Sequence, residues 1–288
     1  MSVVQILPTL DVVVPCYNEQ DEIATCLDKL LTQKDEICSI IVVDNNSTDD
    51  TVKIVTRYMK KHPIIRLIHE PEQGVEYARD AGIAASESDI VARIDADTRV
   101  LAGWAHTIRE FYTAHPDISA GSGATEYYDL PFRRFTNMMT LFFTTVSNRM
   151  AAHSSSLYGA NMSIRATAWK DVFESLPARG QYIMEDQAIS LALQKRGHKV
   201  AYIQSAKAHV SGRRIRSSPR EFYHYNMRWP TTYRVMGFHR EARRITAVAW
   251  LGCLAQAVAS LGFRFYDPHT MKFSIRQYNH GYETRPWL

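Results

Sequence analysis

Two carboxylates one residue apart, Asp95 and Asp97, close an apolar run that starts at Ile90. Like charges this close repel unless a cation or hydrogen-bond donors sit beside them. Hard carboxylate oxygens suit Mg²⁺ or Mn²⁺, ions that commonly bind substrate phosphates as well. Taken alone, the pair could equally be a solvated acidic turn. Its placement argues for chemistry, because two further polar clusters, Tyr17-Asn18-Glu19 and Asp44-Asn45-Asn46-Ser47-Thr48, also follow short apolar runs.

Those runs read as strands buried on both faces: Asp11 to Pro15, Ile40 to Val43, Ile64 to Ile68 and Ile90 to Ile94. Helical spacing lies between them. Ile23, Leu27, Leu30 and Leu31 share one face, and so do Val52, Val55, Tyr58 and Met59, in a helix that His62-Pro63 ends. Val75, Ala78, Ala81, Gly82 and Ala85 mark a third helix. Alternating strands and helices imply a parallel sheet covered on both faces, and in such sheets ligands bind beyond the carboxyl ends of the strands. All three polar clusters sit at such ends.

The second half is less regular. Asn137 to Met150 is Met-rich and aromatic and reads as a helix over the site; Gly159 to Ser163 reads as a turn or short strand. Glu185 to Arg196 reads as a helix stopped by Gly197, and Lys199 to Gln204 as a strand. Ile245 to Phe263 approaches spanning length but includes Thr246, Gln256 and Ser260, which favours a buried or interfacial helix over a span.

With 288 residues, 45% hydrophobic and 22% charged, the chain has the composition of a folded domain with an ordinary core. A formal charge of +4 gives no nucleic-acid footprint. Cys16, Cys26, Cys38 and Cys253 form no C-x-x-C pair and fit reduced thiols of the cytoplasm. The N-terminal stretch lacks the basic region and cleavage site of a signal peptide and reads as the entry to the first strand.

Five motifs in order carry a resemblance. Val12-Val13-Val14-Pro15-Cys16-Tyr17-Asn18-Glu19 resembles the opening motif of family 2 glycosyltransferases, and Val42 to Thr51 their second-strand motif. Gly74 to Gly82, with Ala78-Arg79-Asp80, is similar to their A-R-N-x-G helix. Asp95-Ala96-Asp97 looks like their D-x-D, and Gly159-Ala160-Asn161 with Glu185-Asp186 like their acceptor-side motifs. The resemblance spans about residues 8 to 212.

It implies a GT-A fold: a Rossmann-like α/β sandwich with a central, mostly parallel sheet flanked by helices. On this reading residues 1–212 form the transferase domain, 1–100 being the nucleotide-binding half and 101–212 the acceptor half. Residues 213–288 form a C-terminal helical extension. Pro15, Tyr17 and Glu19 would line the base and ribose of a nucleoside-diphosphate sugar, UDP- in preference to GDP-. Asp44 would accept hydrogen bonds from the nucleotide, with Ser47 or Thr48 left to cap the next helix. Arg79 would reach base or phosphate, and Asp80 departs from the family's Asn. Asp95 and Ala96 would lie by the ribose, and Asp97 and His209 would hold Mn²⁺ or Mg²⁺. Asp186 would be the base that deprotonates an acceptor hydroxyl, Glu185 would hold the acceptor, and one sugar would move with inversion.

Tyr225-Asn226-Met227-Arg228-Trp229 resembles a degraded Q-x-x-R-W motif of processive members. The scarcity of spanning stretches favours transfer of a single sugar instead. Arg240, Arg243 and Arg244 could meet anionic headgroups, and Arg213, Arg214 and Arg216 the donor diphosphate. The acceptor would be a carbohydrate or a lipid-linked acceptor, met in the cytoplasm or at the inner face of the membrane. Two other functions would leave different marks in the sequence. A nucleotidyltransferase making the sugar nucleotide would want a Gly-rich, basic loop where Cys16 to Glu19 stand. A non-catalytic sugar-nucleotide-binding protein would not need Asp97, Asp186 and His209 together.

Overall fold

The computed structural model describes residues 7–132, 134, 136–138, 156–268 and 270–274. The first half alternates strand and helix: β1 (Leu10–Cys16), α1 (Ile23–Leu31), β2 (Ser39–Asp44), α2 (Thr51–Lys61), β3 (Ile65–His69), α3 (Val75–Ala84) and β4 (Ile90–Arg93). The chain continues through β5 (Arg99–Val100), α4 (Trp104–Ala114), β6 (Ile118–Tyr127), β7 (Met162–Arg165) and α5 (Ala166–Phe173). Then come α6 (Glu185–Lys195), β8 (Lys199–Val210), α7 (Pro219–Val235) and α8 (His239–Phe263), followed by a hairpin of β9 (Tyr266–Asp267) and β10 (Lys272–Phe273).

An eight-stranded sheet runs in the order β3-β2-β1-β4-β7-β6-β8-β5. Pairing is parallel from β3 to β4 and between β6 and β8, and antiparallel where β7 meets β4 and β6 and where β5 meets β8. The continuous apolar runs have their reason in the two-sided burial. Val12, Val14, Ile40 and Val42 enter one core layer with Ile23, Leu27, Leu30, Trp104 and Ile108. Val13, Ile41 and Val43 point the other way, into a layer with Ala78, Ile83, Trp169 and Ile189. A Cβ on Gly82 would lie 2.3 Å from Val13 Cγ1, so the last glycine of the A-R-D helix lets α3 press onto β1.

Two expectations change in detail, and a third lies mostly outside the described residues. α2 begins at Thr51, and its N–H donates to Asp49 Oδ1 at 2.9 Å, so neither Ser47 nor Thr48 caps it. β8 runs on past Gln204 to Val210, which puts His209 inside the strand, opposite Arg99 of β5, instead of after it. Within the Met-rich stretch, Asn137 and Met138 are helical, and residues 139–150 lie outside the described residues. Gly197 does stop α6, at φ +79°.

α7 opens on a capping box between Ser218 and Glu221, with Pro219 at its first position. α7 and α8 add Tyr233, Met236, Ala242 and Ile245 to the second core layer.

Candidate functional site

The loops after β1 and β2 are laced together by side chains. Asn18, at φ +52°, accepts the Thr48 N–H on its Oδ1 at 2.8 Å and donates its own N–H to Ser47 Oγ at 3.0 Å. The Glu19 N–H donates to Thr51 Oγ1 at 2.8 Å. Asp44 is buried, accepts the Ser47 N–H at 3.2 Å, and has His69 Nδ1 3.2 Å from its other oxygen. Pro15 is buried and Tyr17 half-buried beside this lacing. The strand ends therefore present a rigid rim, as a nucleotide cradle requires.

Beyond β4 the chain turns through Asp95-Ala96-Asp97. Asp97 is 6% exposed, and its Oδ2 lies 3.0 Å from Arg213 Nε. Arg213 also donates Nη2 to Glu19 Oε1 at 2.7 Å and Nη1 to Oε2 at 3.1 Å. Burial pushes the Asp97 carboxyl up to about 7; Arg213 opposes this, while Asp95, Glu19 and Glu22 add to it. Burial works against the Arg213 cation, but Asp97 and Glu19 outweigh it and raise its pKa. Arg99 donates to Glu22 at 3.1 Å and stacks on Tyr128, so the acidic rim is faced by a second guanidinium. His209 is half-buried on β8. Among the described residues no group of three or more His, Cys, Asp or Glu side chains could hold a metal ion by itself. An ion here would need oxygens from a ligand in addition to Asp97 and His209.

Asp95 faces a different partner. Arg93 Nη2 lies 2.9 Å from Asp95 Oδ1 and 3.7 Å from Glu185 Oε1, so one buried arginine links the D-x-D turn to the start of α6. Burial disfavours the Arg93 cation, yet Asp95, Glu185 and Asp186 hold its pKa above the ordinary value. The sequence reading missed Arg93 and named Arg213 only as one of three arginines. The signal for Arg93 was available: a charged residue inside a run otherwise buried on both faces needs a partner. Nothing local marks out Arg213 from its neighbouring arginines.

Asp186 sits in the first turn of α6. Its Oδ2 accepts the Gly159 N–H at 2.8 Å and its Oδ1 the Gln187 N–H at 2.7 Å. Burial, then the charge of Glu185, raises its carboxyl to about 6, against the pull of the Gly159 N–H, Arg93 and the Gln187 N–H. A Cβ on Gly159 would fall 1.6 Å from Arg93 Nη1, so only glycine leaves room for the guanidinium. Asn161 of the same motif is a clip within the fold: it donates to the Ala124 and Ala206 carbonyls and accepts Trp104 Nε1–H at 2.9 Å. Tyr225 stands where the processive motif has Gln; burial raises its pKa, Arg214 opposes this, and the charges of Asp186, Glu185 and Asp95 add to it. Arg214 stacks 4.1 Å over the Tyr225 ring. Trp229 packs against the second core layer.

Arg79 makes a different set of contacts. It is 3% exposed, donates Nε and Nη2 to Asp80 Oδ1 at 2.9 and 2.6 Å, and lies over Trp169. Asp80 Oδ2 pairs with Arg179 at 2.6 Å. The carboxylate that replaces the family's usual Asn thus neutralises two arginines.

The arrangement has two ends. Asp97, Glu19 and Arg213 could receive a diphosphate and its cation, and Asp186, Glu185 and Tyr225 could receive a hydroxyl, with Arg93 and Asp95 between them. Comparison with known proteins addresses the family and the fold. The sequence pattern of Glycosyl transferase family 2 matches residues 11–173. YibD of Escherichia coli (strain K12), an uncharacterized glycosyltransferase, is 37% identical over 91 residues, which are 32% of this chain and 26% of that protein. The dolichyl-phosphate beta-glucosyltransferase ALG5C of Trichomonas vaginalis is 38% identical over 94 residues, 30% of this chain and 28% of that protein. The matched stretches therefore span under a third of these relatives' own length. Among solved structures, the mannosyltransferase PcManGT of Pyrobaculum calidifontis, in complex with GDP-Man and Mn²⁺, superposes with a TM-score of 0.62 at 20% identity, over 89% of this chain and 74% of that one. Glucosyl-3-phosphoglycerate synthase of Mycobacterium tuberculosis, with Mn²⁺, UDP-glucose and phosphoglyceric acid, gives 0.54 at 16% identity, over 85% and 80%. The chain belongs to glycosyl transferase family 2 and has the GT-A fold.

Proposed function

We propose that this protein moves one sugar from a nucleoside-diphosphate sugar, UDP- in preference to GDP-, to an acceptor hydroxyl of a carbohydrate or lipid-linked sugar on the cytoplasmic side, with inversion at the anomeric carbon. The observation that carries the reading is the Arg93 bridge between Asp95 and Glu185, which sets a diphosphate-receiving end next to a carboxyl pushed up to about 6. Pro15, Tyr17, Glu19 and Asp44 form the rim for base and ribose. Arg213 places a fixed cation at the diphosphate. The buried Asp97 carboxylate and the imidazole of His209 suit Mn²⁺ or Mg²⁺, with diphosphate oxygens completing the shell. The bound ion would supply Lewis-acid stabilisation of the departing diphosphate.

Asp186 takes the proton of the acceptor hydroxyl onto a carboxylate oxygen as that hydroxyl attacks. Its two backbone N–H partners fix the carboxylate plane, and Glu185 and Tyr225 orient the acceptor. Neighbouring folds that hold GDP-Man or UDP-glucose with Mn²⁺ support the donor class.

A thermal-shift screen of nucleoside diphosphates and sugar nucleotides, each with Mn²⁺ and with Mg²⁺, tests the reading. One nucleotide series should raise the melting temperature in a metal-dependent way, because a ligand bound only by the folded state stabilises it. Absence of a shift with every sugar nucleotide and both metals would sink it.

A further inference from the structure

α8 is built with its polarity reversed. Its inward face carries the polar groups. Gln256, 5% exposed, donates to the Ile215 and Ser217 carbonyls at 2.9 Å each, and Ser260 is buried beside it. Asn226 of α7 donates to the Ala249 carbonyl at 2.8 Å. The outward face is apolar: Trp250, Leu251, Leu254, Val258 and Leu261 are 49 to 72% exposed. The other exposed positions from 247 to 262 are alanines and a glycine. A helix facing water shows the opposite pattern, and an exposed apolar stripe of this length marks a contact surface. In the following hairpin Met271 and Phe273 are also more than half exposed.

At 3.6 residues per turn, Arg240, Arg243 and Arg244 fall on the same outward stripe, at its N-terminal end, and all three are exposed. We propose that α8 docks on an anionic lipid bilayer, with its apolar stripe at the acyl boundary and these arginines against the headgroup phosphates. Charge complementarity favours lipid over a second copy of the chain. Self-pairing through this stripe would set the basic turn against itself or against leucines, and no fully exposed position of α8 is acidic. α8 is long and apolar enough to cross a membrane, with mean hydropathy 1.6 in its most apolar window, but a third of that window is buried against the fold. The Gln256 and Asn226 bonds tie its inner face down, so the helix lies on the bilayer and does not cross it. The inference does not rest on the proposed glycosyl transfer.

Flotation of the full chain with phosphatidylcholine vesicles, with and without phosphatidylserine, tests it without any nucleotide. The wild-type chain should float with the anionic vesicles, and Trp250 fluorescence should shift to the blue. Leu254→Glu with Val258→Glu, at exposed positions, should abolish both signals while circular dichroism stays unchanged; Leu254→Ser with Val258→Ser serves as a milder second variant. Arg243→Glu with Arg244→Glu should weaken binding by roughly fivefold or more per residue, on anionic vesicles only. Three results would overturn the proposal: no flotation with either vesicle, flotation indifferent to both position-254/258 variants, or a dimer in sedimentation that those variants dissolve.

Discussion

Arg213 Nε lies 3.0 Å from Asp97 Oδ2, and the same guanidinium grips Glu19 through both terminal nitrogens. Three residues far apart in sequence thus meet where the loops after β1 and β4 converge. Arg213 holds the acidic rim together and, in the proposed function, is the cation that meets the diphosphate. Asp97→Ala should abolish the metal-dependent part of nucleotide binding; calorimetry showing unchanged UDP–Mn²⁺ affinity would take Asp97 out of the metal site. Arg213→Ala should weaken nucleotide binding by roughly tenfold or more, the value of a charge-assisted hydrogen bond. Arg213→Lys should recover little, since an ammonium cannot bridge Glu19 and Asp97 as the planar fork does.

Asp186 sets a pH dependence. A carboxyl held at about 6 must be ionised to accept a proton, so kcat/KM should rise with pH below about 6 and level off above it. Asp186→Asn should remove transfer and leave nucleotide affinity intact; an active variant would make another residue the base. The stability trend has the opposite sign. Unfolded, this carboxyl ionises near 3.8, and folded, near 6, so between those values the folded chain keeps a proton the unfolded chain has lost. Its contribution to stability is full below the lower value and declines as pH rises to the upper one. Urea midpoints of Asp186→Asn should lack that part of the slope.

Asp80→Asn restores the residue usual in the family but removes the charge shared by Arg79 and Arg179. Leaving a buried guanidinium without its counter-ion should cost about 3 kcal/mol in urea denaturation. Nucleotide affinity should hold. A loss of affinity with no loss of stability would instead support a contact between Arg79 and the donor.

Gly159→Ala tests the Arg93 bridge. The new methyl overlaps the guanidinium, and overpacking together with a disturbed ion pair should cost roughly 3 kcal/mol. Activity should fall even where the protein remains folded, because Arg93 then no longer spans Asp95 and Glu185. Full activity and stability in this variant would mean that the bridge is dispensable.

The sequence by itself determined the alternating half of the fold and the order of its site loops. Val12 to Val14 and Ile40 to Val43 are apolar on both faces, and only a sheet covered on both sides can use such runs, so their polar ends at Glu19, Asp44 and Asp97 were legible as one rim. The mixed half was harder to read. β8 continues past Ile203 through an irregularity in its register and regains its pairing with β6 and β5 at Ala208, and Ser205 and Lys207 in that stretch break the apolar pattern. Only the tertiary structure could decide which charges meet. Arg93 and Arg213 come from different parts of the chain and pair with Asp95 and Asp97 of one turn, and the Asp80 carboxylate pairs with two arginines. It also decided the orientation of α8. Spacing shows an apolar helix with scattered polar residues, but which face meets protein is fixed by Gln256 and Asn226 bonding inward, and that leaves Leu254 and Val258 to the outside.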